Sequence, residues 1–306
     1  YYNKEGVIKN VLGGHINIGV AYLNIRSDFA SKEAIYHFKK ADSMSSASNI
    51  KTKFLIYNNL GTLYSQSNSL KNTEKSLLYY LKALDCATKL KKDSNISSVS
   101  YNLAVVYSKI DLKVSQEYFN RALRHCPKND PLISYIHMGL GIKALEEKEY
   151  LKAQSSFKTS LEKFLNKDIP DIYWVPSKND SDQVLEKAKF LELLKRKLKA
   201  WIALAKQTES IEYYQEAIKT AYASDQLIDL MIEENLSKRA KLQWRSLSSQ
   251  IYIMALEACY QTQNFKDAFY FMEKSKALLL IQDINKEKIN VPTSILERER
   301  RLIQTI

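Results

Sequence analysis

Apolar residues recur at helical spacing along this chain, and over the first 165 positions they recur in a set order. The stretch "NIGVAY" at 17–22 returns as "NLGTLY" at 59–64 and as "NLAVVY" at 102–107. At about 100° per residue on a helical wheel, Ile18, Gly19 and Tyr22 fall on one side and Asn17 points nearly opposite. Ile18 and Tyr22 are therefore expected in the core, with Gly19 small where a second helix crosses closely. Leu60, Gly61 and Tyr64, then Leu103, Ala104 and Tyr107, repeat the assignment. Each copy is followed by a small–aromatic–small triplet at i, i+4, i+7: Ala34–Phe38–Ala41, Ser76–Tyr80–Ala83 and Ser115–Phe119–Ala122. That spacing lines one helical face and sets an aromatic knob between two notches. A fourth copy lacks the Asn but keeps Leu140, Gly141, Ala144, Tyr150, Ala153, Phe157 and Ser160.

Residues 166–182, "NKDIPDIYWVPSKNDSD", interrupt this order with two Pro and several Asp and Asn. They predict an ordered insertion loop, in which Tyr173 and Trp174 are expected to anchor the loop to the core. The amphipathic pattern resumes with Val184, Ala188, Leu191, Leu198, Trp201 and Ala205, and further helices are predicted over 209–234, 236–262 and 265–284. In the last of these, Ala268, Met272 and Ser275 restate the small–large–small face. A polar stretch then leads to "VPTSILERERRLIQTI", which starts one more helix with Pro292 near its beginning.

Composition agrees with helices joined by short loops. Seven Gly and five Pro in 306 residues are too few turn residues for a sandwich or barrel. No apolar run reaches the roughly 18 residues of a membrane span. The chain begins with Tyr and reads as part of a longer protein, so an upstream targeting segment is an open expectation. Cys86, Cys126 and Cys259 are scattered through apolar patterns. Such a set suits neither a disulfide framework nor a zinc site, and reduced structural cysteines favour the cytoplasm.

A net charge of +12 raises the question of nucleic acid. Acidic and basic residues interleave along most helices, with an exception at 183–207, where Lys187, Lys195, Arg196 and Lys199 form a candidate basic face. With no nucleic-acid module beside it, a solvated helix face is preferred to a phosphate-binding stripe.

Helix pairs with these small and aromatic positions resemble tetratricopeptide repeats. "LGIKALEEKEYLKAQSSF" is the nearest match, and Pro127, five residues after Ala122, matches that family's repeat-ending proline. The first units depart from the usual period of about 34 residues, because Asn17, Asn59 and Asn102 are 42 and 43 residues apart. The resemblance implies an all-α, right-handed superhelical solenoid of helix–turn–helix repeats. The expected organisation is four repeats over 1–165, the insertion loop at 166–182, further helical repeats over 183–284, and a linker with the start of a helix over 285–306.

The second half is similar to something narrower. "ASDQLIDLM", "LSKRAKLQWRSLSSQIYIMALEACY", "AFYFMEKSKALLL" and "ERERRLIQTI" together resemble the segment before the protease domain of CHAT proteins. These are caspase-like proteases with N-terminal tetratricopeptide repeats, found in Bacteroidetes-type bacteria. The resemblance implies a His–Cys protease domain that would begin after residue 306 and could itself be a partner of this region.

Within the chain no catalytic, cofactor or metal site is expected. His125 and Cys126 are neighbours and project about 100° apart on a helix, a poor geometry for one to deprotonate the other. There is no glycine-rich phosphate loop, Gly-x-Ser-x-Gly or Cys-x₂-Cys. The expected activity is that of a solenoid, which holds a protein or peptide on its concave surface. Asn17, Asn59 and Asn102, pointing away from the paired helix, are candidates for that surface, flanked by Val20, Thr62 and Val105. A primary amide both donates and accepts, so it can bond to a peptide backbone of any sequence, and related repeats use a matching Asn row in this way. The competing reading is that these Asn bridge neighbouring helices. A second function class is an assembly scaffold whose basic surface meets an acidic partner.

Overall fold

The computed structural model describes residues 4–25, 27–66, 70–233 and 238–276. Among them every regular element is a helix. The expected linker and helix over 285–306 lie outside the described residues.

The chain divides into two compact units, Tyr1–Lys143 and Ala144–Ile306. In the first, α1 (Lys4–Leu23) pairs with α2 (Asp28–Met44), α3 (Ile50–Ser65) with α4 (Leu70–Lys89), and α5 (Asp93–Tyr107) with α6 (Leu112–His125). Successive pairs touch through α2–α3 and α4–α5, and the first helices touch one another, α1 with α3 and α3 with α5. The division falls inside α7 (Leu132–Glu146), so the fourth motif copy is shared between the units.

Local chemistry sets the helix starts. The Ser27 hydroxyl accepts from the amide of Ala30, the Asn49 side chain from that of Thr52, and Asp111 from those of Lys113 and Val114. Each satisfies backbone donors that a helix N-terminus leaves unpaired.

Each pair is joined where the small residue meets the knob. A Cβ added to Gly19 would stand 2.8 Å from the Phe38 ring, and one on Gly61 would stand 2.5 Å from the Tyr80 ring. Ala104 takes the same place in the third pair, in one core cluster with Phe119 and Ala122. The Ser76 hydroxyl donates to the carbonyl of Gly61 at 2.9 Å, and that of Ser115 to the carbonyl of Ala104 at 2.9 Å. The small residue thus lets the helices approach closely enough for a buried serine to bond across. The motif tyrosine has its own partner, the ring just before the knob: Tyr22 stacks on His37 with centroids 6.1 Å apart, Tyr64 on Tyr79 at 5.6 Å, and Tyr107 on Tyr118 at 5.4 Å.

Three expected core positions differ. Ile18 is 43% exposed, whereas its counterparts Leu60 and Leu103 are fully buried. The physical reason is the preceding hairpin: α2 covers Leu60 and α4 covers Leu103, and no described helix stands in front of α1. Ala188 is exposed near the start of α10. Met272 is 38% exposed because its neighbour Phe271 turns inward, against Tyr222 and Tyr252.

In the second unit α10 (Lys187–Thr208) packs against α8 (Tyr150–Leu165), α11 (Ile211–Glu233) and α12 (Lys238–Gln261). The short α9 (Lys178–Asp182) touches α11, and a last described helix, α13, runs over 265–276. The knob Phe157 of α8 and its flanks Ala153 and Ser160 are fully buried. Residues 166–177 fold onto α10. Ile169 is buried, and the Asp171 carboxylate accepts from the amides of Tyr173 and Trp174 at 2.8 and 3.0 Å. The Tyr173 ring stacks on Trp201 at 5.4 Å, and Trp201 stacks in turn on Tyr213.

The close approach at Gly61 gives a paired prediction. Gly61→Ala gains about 1 kcal/mol of helix propensity, but its methyl meets the root of a Tyr80 ring whose hydroxyl is tethered to Thr62 at 3.1 Å. Overpacking of this kind typically costs about 1–3 kcal/mol, so the variant should unfold at lower urea than the parent. Gly14→Ala, with nothing within 4 Å of the new methyl, should unfold at equal or higher urea.

Candidate functional site

In the first unit α1, α3 and α5 each turn one side to their second helix and another to a neighbouring pair. Asn17, Asn59 and Asn102 stand two residues before the small residue of the motif. Because α1 touches α3 and α3 touches α5, the three positions form a row across the first helices. Asn17 is exposed, and Asn59 and Asn102 are half-buried. Val20 and Val105 are 37% and 39% exposed.

Two members of the row also serve the packing. The Asn102 amide donates to the side-chain oxygen of Asn58 at 3.3 Å, a bond between consecutive repeats. The Thr62 hydroxyl donates to the carbonyl of Asn58 at 3.0 Å and accepts from the buried Tyr80 hydroxyl at 3.1 Å, so this side chain is a polar member of the joint and not an apolar flank. Among the described residues no side-chain hydrogen bond is made by Asn17 or Asn59.

The candidate basic face is largely neutralised. Lys187 donates to the carbonyl of Asp182 at 3.1 Å and lies 3.9 Å from its carboxylate. Glu192 pairs with both Lys195, at 3.1 Å, and Arg196, at 2.7 Å. Lys199 is exposed, but a single cation is not a phosphate-binding stripe.

The same run hides a residue of different character. Lys197 is fully buried. Its ammonium donates to the carbonyl of Ile172 and to the Gln154 side chain, and lies 5.3 Å from the Trp201 ring centroid. Gln154 donates back to the Lys197 carbonyl at 2.9 Å. Burial lowers the ammonium from the ordinary 10.5 to about 7, against the opposing pull of Glu216 and Asp171. Lys197 therefore clamps residues 166–177 to α8 and α10, behind the Tyr173–Trp201 stack.

A second buried network holds α13. Asp225, 1% exposed, accepts from the hydroxyls of Tyr252 at 2.6 Å and Tyr270 at 2.5 Å, and Lys274 stands 3.3 Å away. Lys274 also donates to Asp229 at 2.7 Å, and Tyr222 donates to Asp267 at 2.7 Å. Burial and the Asp225 carboxylate push the Tyr270 phenol up to about 12 and drive that of Tyr252 far above the usual range. Burial works against the Lys274 ammonium, but the Asp229 and Asp225 carboxylates hold it charged. Groups held so firmly in one protonation state suit anchoring and not acid–base turnover.

The His125–Cys126 pair is no dyad. The imidazole of His125 lies 2.7 Å from the Asp93 carboxylate, and burial raises the Cys126 thiol above its ordinary range. Among the described residues no three His, Cys, Asp or Glu side chains gather as a metal site, and no helix is long and apolar enough to cross a membrane.

These features define a class: an all-α protein of tetratricopeptide-like helical repeats. Solved structures place the chain among such folds. PilF of Pseudomonas aeruginosa is similar over 92% of this chain and 99% of its own, with a TM-score of 0.55 at 14% identity. BtubC from P. vanneervenii is similar over 75% of this chain and 94% of its own, with a TM-score of 0.51 at 12% identity. A Rap protein, in complex with competence and sporulation factor, is similar over 88% of this chain and 74% of its own, with a TM-score of 0.50 at 15% identity. No family model and no curated protein sequence matches the chain.

Lys197 gives a pH prediction. Between pH 7 and 10.5 the unfolded lysine holds more proton than the folded one, so folding stability rises with pH through that window. The slope approaches about 1.4 kcal/mol per pH unit. Urea unfolding between pH 7 and 9 should show the rise, and Lys197→Met should flatten it.

Proposed function

We propose that this chain is a non-catalytic recognition module that holds an extended protein segment along the Asn row of its first unit. The observation that carries the reading is the return of Asn17, Asn59 and Asn102 at one motif position of α1, α3 and α5, with Asn17 exposed and Asn59 half-buried. Amides there pair with a peptide backbone irrespective of sequence, and the half-exposed Val20 and Val105 offer apolar contact to alternate side chains. A protein- or peptide-binding role accords with the repeat fold. In the longer protein, the resemblance of residues 184–306 to the pre-protease segment of CHAT proteins supports a regulatory role. The module would control a C-terminal caspase-like protease, either by capturing an activating partner or by holding part of that domain. The alternative of a scaffold with a basic surface for an acidic partner loses support from the pairing of Lys195 and Arg196 with Glu192.

The cleanest test spares Asn102, whose amide already bridges two repeats. In a peptide-array screen followed by fluorescence anisotropy, Asn17→Ala with Asn59→Ala should weaken bound peptides about tenfold or more, at about 1 kcal/mol for each lost hydrogen bond. The unfolding midpoint should stay unchanged, and affinity should vary little with salt, unlike a phosphate-contacting surface. Unchanged affinity in the double variant removes the groove; a steep loss with salt favours the basic scaffold.

A further inference from the structure

α1 and α2 bring together two imidazoles whose ring nitrogens neither the repeat packing nor the groove reading uses. The Nδ1 atoms of His15 and His37 stand 2.8 Å apart, with ring centroids at 5.0 Å. Both residues are half-buried. The His37 ring is held between Tyr22, stacked on it, and Tyr36, edge-on to it at 5.3 Å. In the metal-free pair one Nδ1–H donates to the lone pair of the other ring.

Two imidazole nitrogens that converge from separate helices are also the start of a coordination sphere. Zinc–imidazole bonds are about 2.0–2.1 Å, so two such bonds at a tetrahedral angle place the nitrogens roughly 3.4 Å apart. Opening the pair by about 0.6 Å needs only small rotations about the histidine side-chain bonds, and the partial exposure of the site admits water to the remaining positions. Imidazole suits zinc, copper and nickel and has little affinity for the hard cations magnesium and calcium.

We propose that His15 and His37 form a two-imidazole seat for one late first-row divalent ion such as Zn²⁺, bridging α1 to α2 in the first repeat. The ring that carried Nδ1–H takes its Nε2–H tautomer, its proton passing through solvent, so both Nδ1 lone pairs face the ion and one hydrogen bond gives way to two metal–nitrogen bonds. The seat then fixes α1, the helix that carries Asn17 and Val20, against its partner. Because His15 and His37 lie outside the Asn row, the proposal stands or falls independently of peptide binding.

The test titrates the full 306-residue chain with zinc chloride in chelator-free buffer at neutral pH, read by calorimetry and by the thermal midpoint. The expected result is one Zn²⁺ per chain and a saturable rise in midpoint, reversed by EDTA and not produced by Mg²⁺. His15→Gln and His37→Gln should each weaken binding about tenfold or more, while His125→Gln, which removes the imidazole beside Asp93, should not. Electron paramagnetic resonance of the unsubstituted chain with one equivalent of Cu²⁺ gives a readout that needs no variant, with splitting from two imidazole nitrogens expected. No zinc-dependent shift, binding that survives His15→Gln, or a copper signal with fewer than two imidazole nitrogens overturns the proposal and leaves the pair as a hydrogen bond alone.

Discussion

The first unit depends on one steric event, a side chain's absence opposite an aromatic ring. Gly19 and Gly61 leave room for Phe38 and Tyr80, and that room lets two helix axes approach closely. Only at that separation can the buried hydroxyl of Ser76 reach the carbonyl of Gly61. The hydrogen bond is a consequence of the packing, and it then makes the packing specific: a register slip would leave a buried hydroxyl unpaired, at a cost of about 1–3 kcal/mol. The stacks of Tyr64 on Tyr79 and Tyr107 on Tyr118 repeat the constraint one turn away. Small residue, serine and ring pair therefore specify one crossing between them.

The second unit reaches the same end by another route. Besides the knob Phe157 with its small flanks Ala153 and Ser160, buried charged side chains join its elements. Lys197 and Asp225 are each almost fully enclosed, and burying such groups is expensive unless every lone pair and proton finds a partner. Asp225 meets the condition with two phenols and an ammonium, drawn from α12 and α13. Lys197 meets it only in part, with a loop carbonyl, an amide oxygen and the Trp201 ring face, and burial accordingly lowers its pKa to about 7. These arrangements add little net stability but tolerate few alternatives, which explains how residues 166–177 and α13 hold definite places without a repeat pattern.

Much of the first network was legible in the sequence, because its parts lie at fixed offsets within one helix. Knob, notch and small residue all follow from 3.6-residue periodicity. Ile18 escaped because periodicity tells which side of a helix is apolar and not whether another helix is there to cover it. The charged networks escaped for a different reason. Asp225 and Tyr270 are 45 residues apart, and Lys197 and Gln154 are 43 residues apart; no spacing rule joins them. Lys197 was further disguised by its neighbours, since a lysine in a run with Lys195, Arg196 and Lys199 reads as one more solvated cation. The rings that receive the motif tyrosines were visible in principle, as an aromatic or histidine immediately before each knob.

In the proposed reading, the Asn row shares packing and recognition within one residue. Helices in contact sit about 8–10 Å apart, whereas an extended peptide advances about 3.3 Å per residue. Successive first helices therefore meet such a peptide about once every three residues, and one amide per repeat matches that step. The bond from Asn102 to Asn58 holds α3 and α5 at a fixed spacing, so it is as much a ruler for the row as a competitor for a ligand. An amide so engaged still has one donor hydrogen and its carbonyl oxygen to offer. The price of ordering that side chain is met when the repeats fold, before any segment binds, and that pre-ordering is what a recognition surface built from short polar side chains requires.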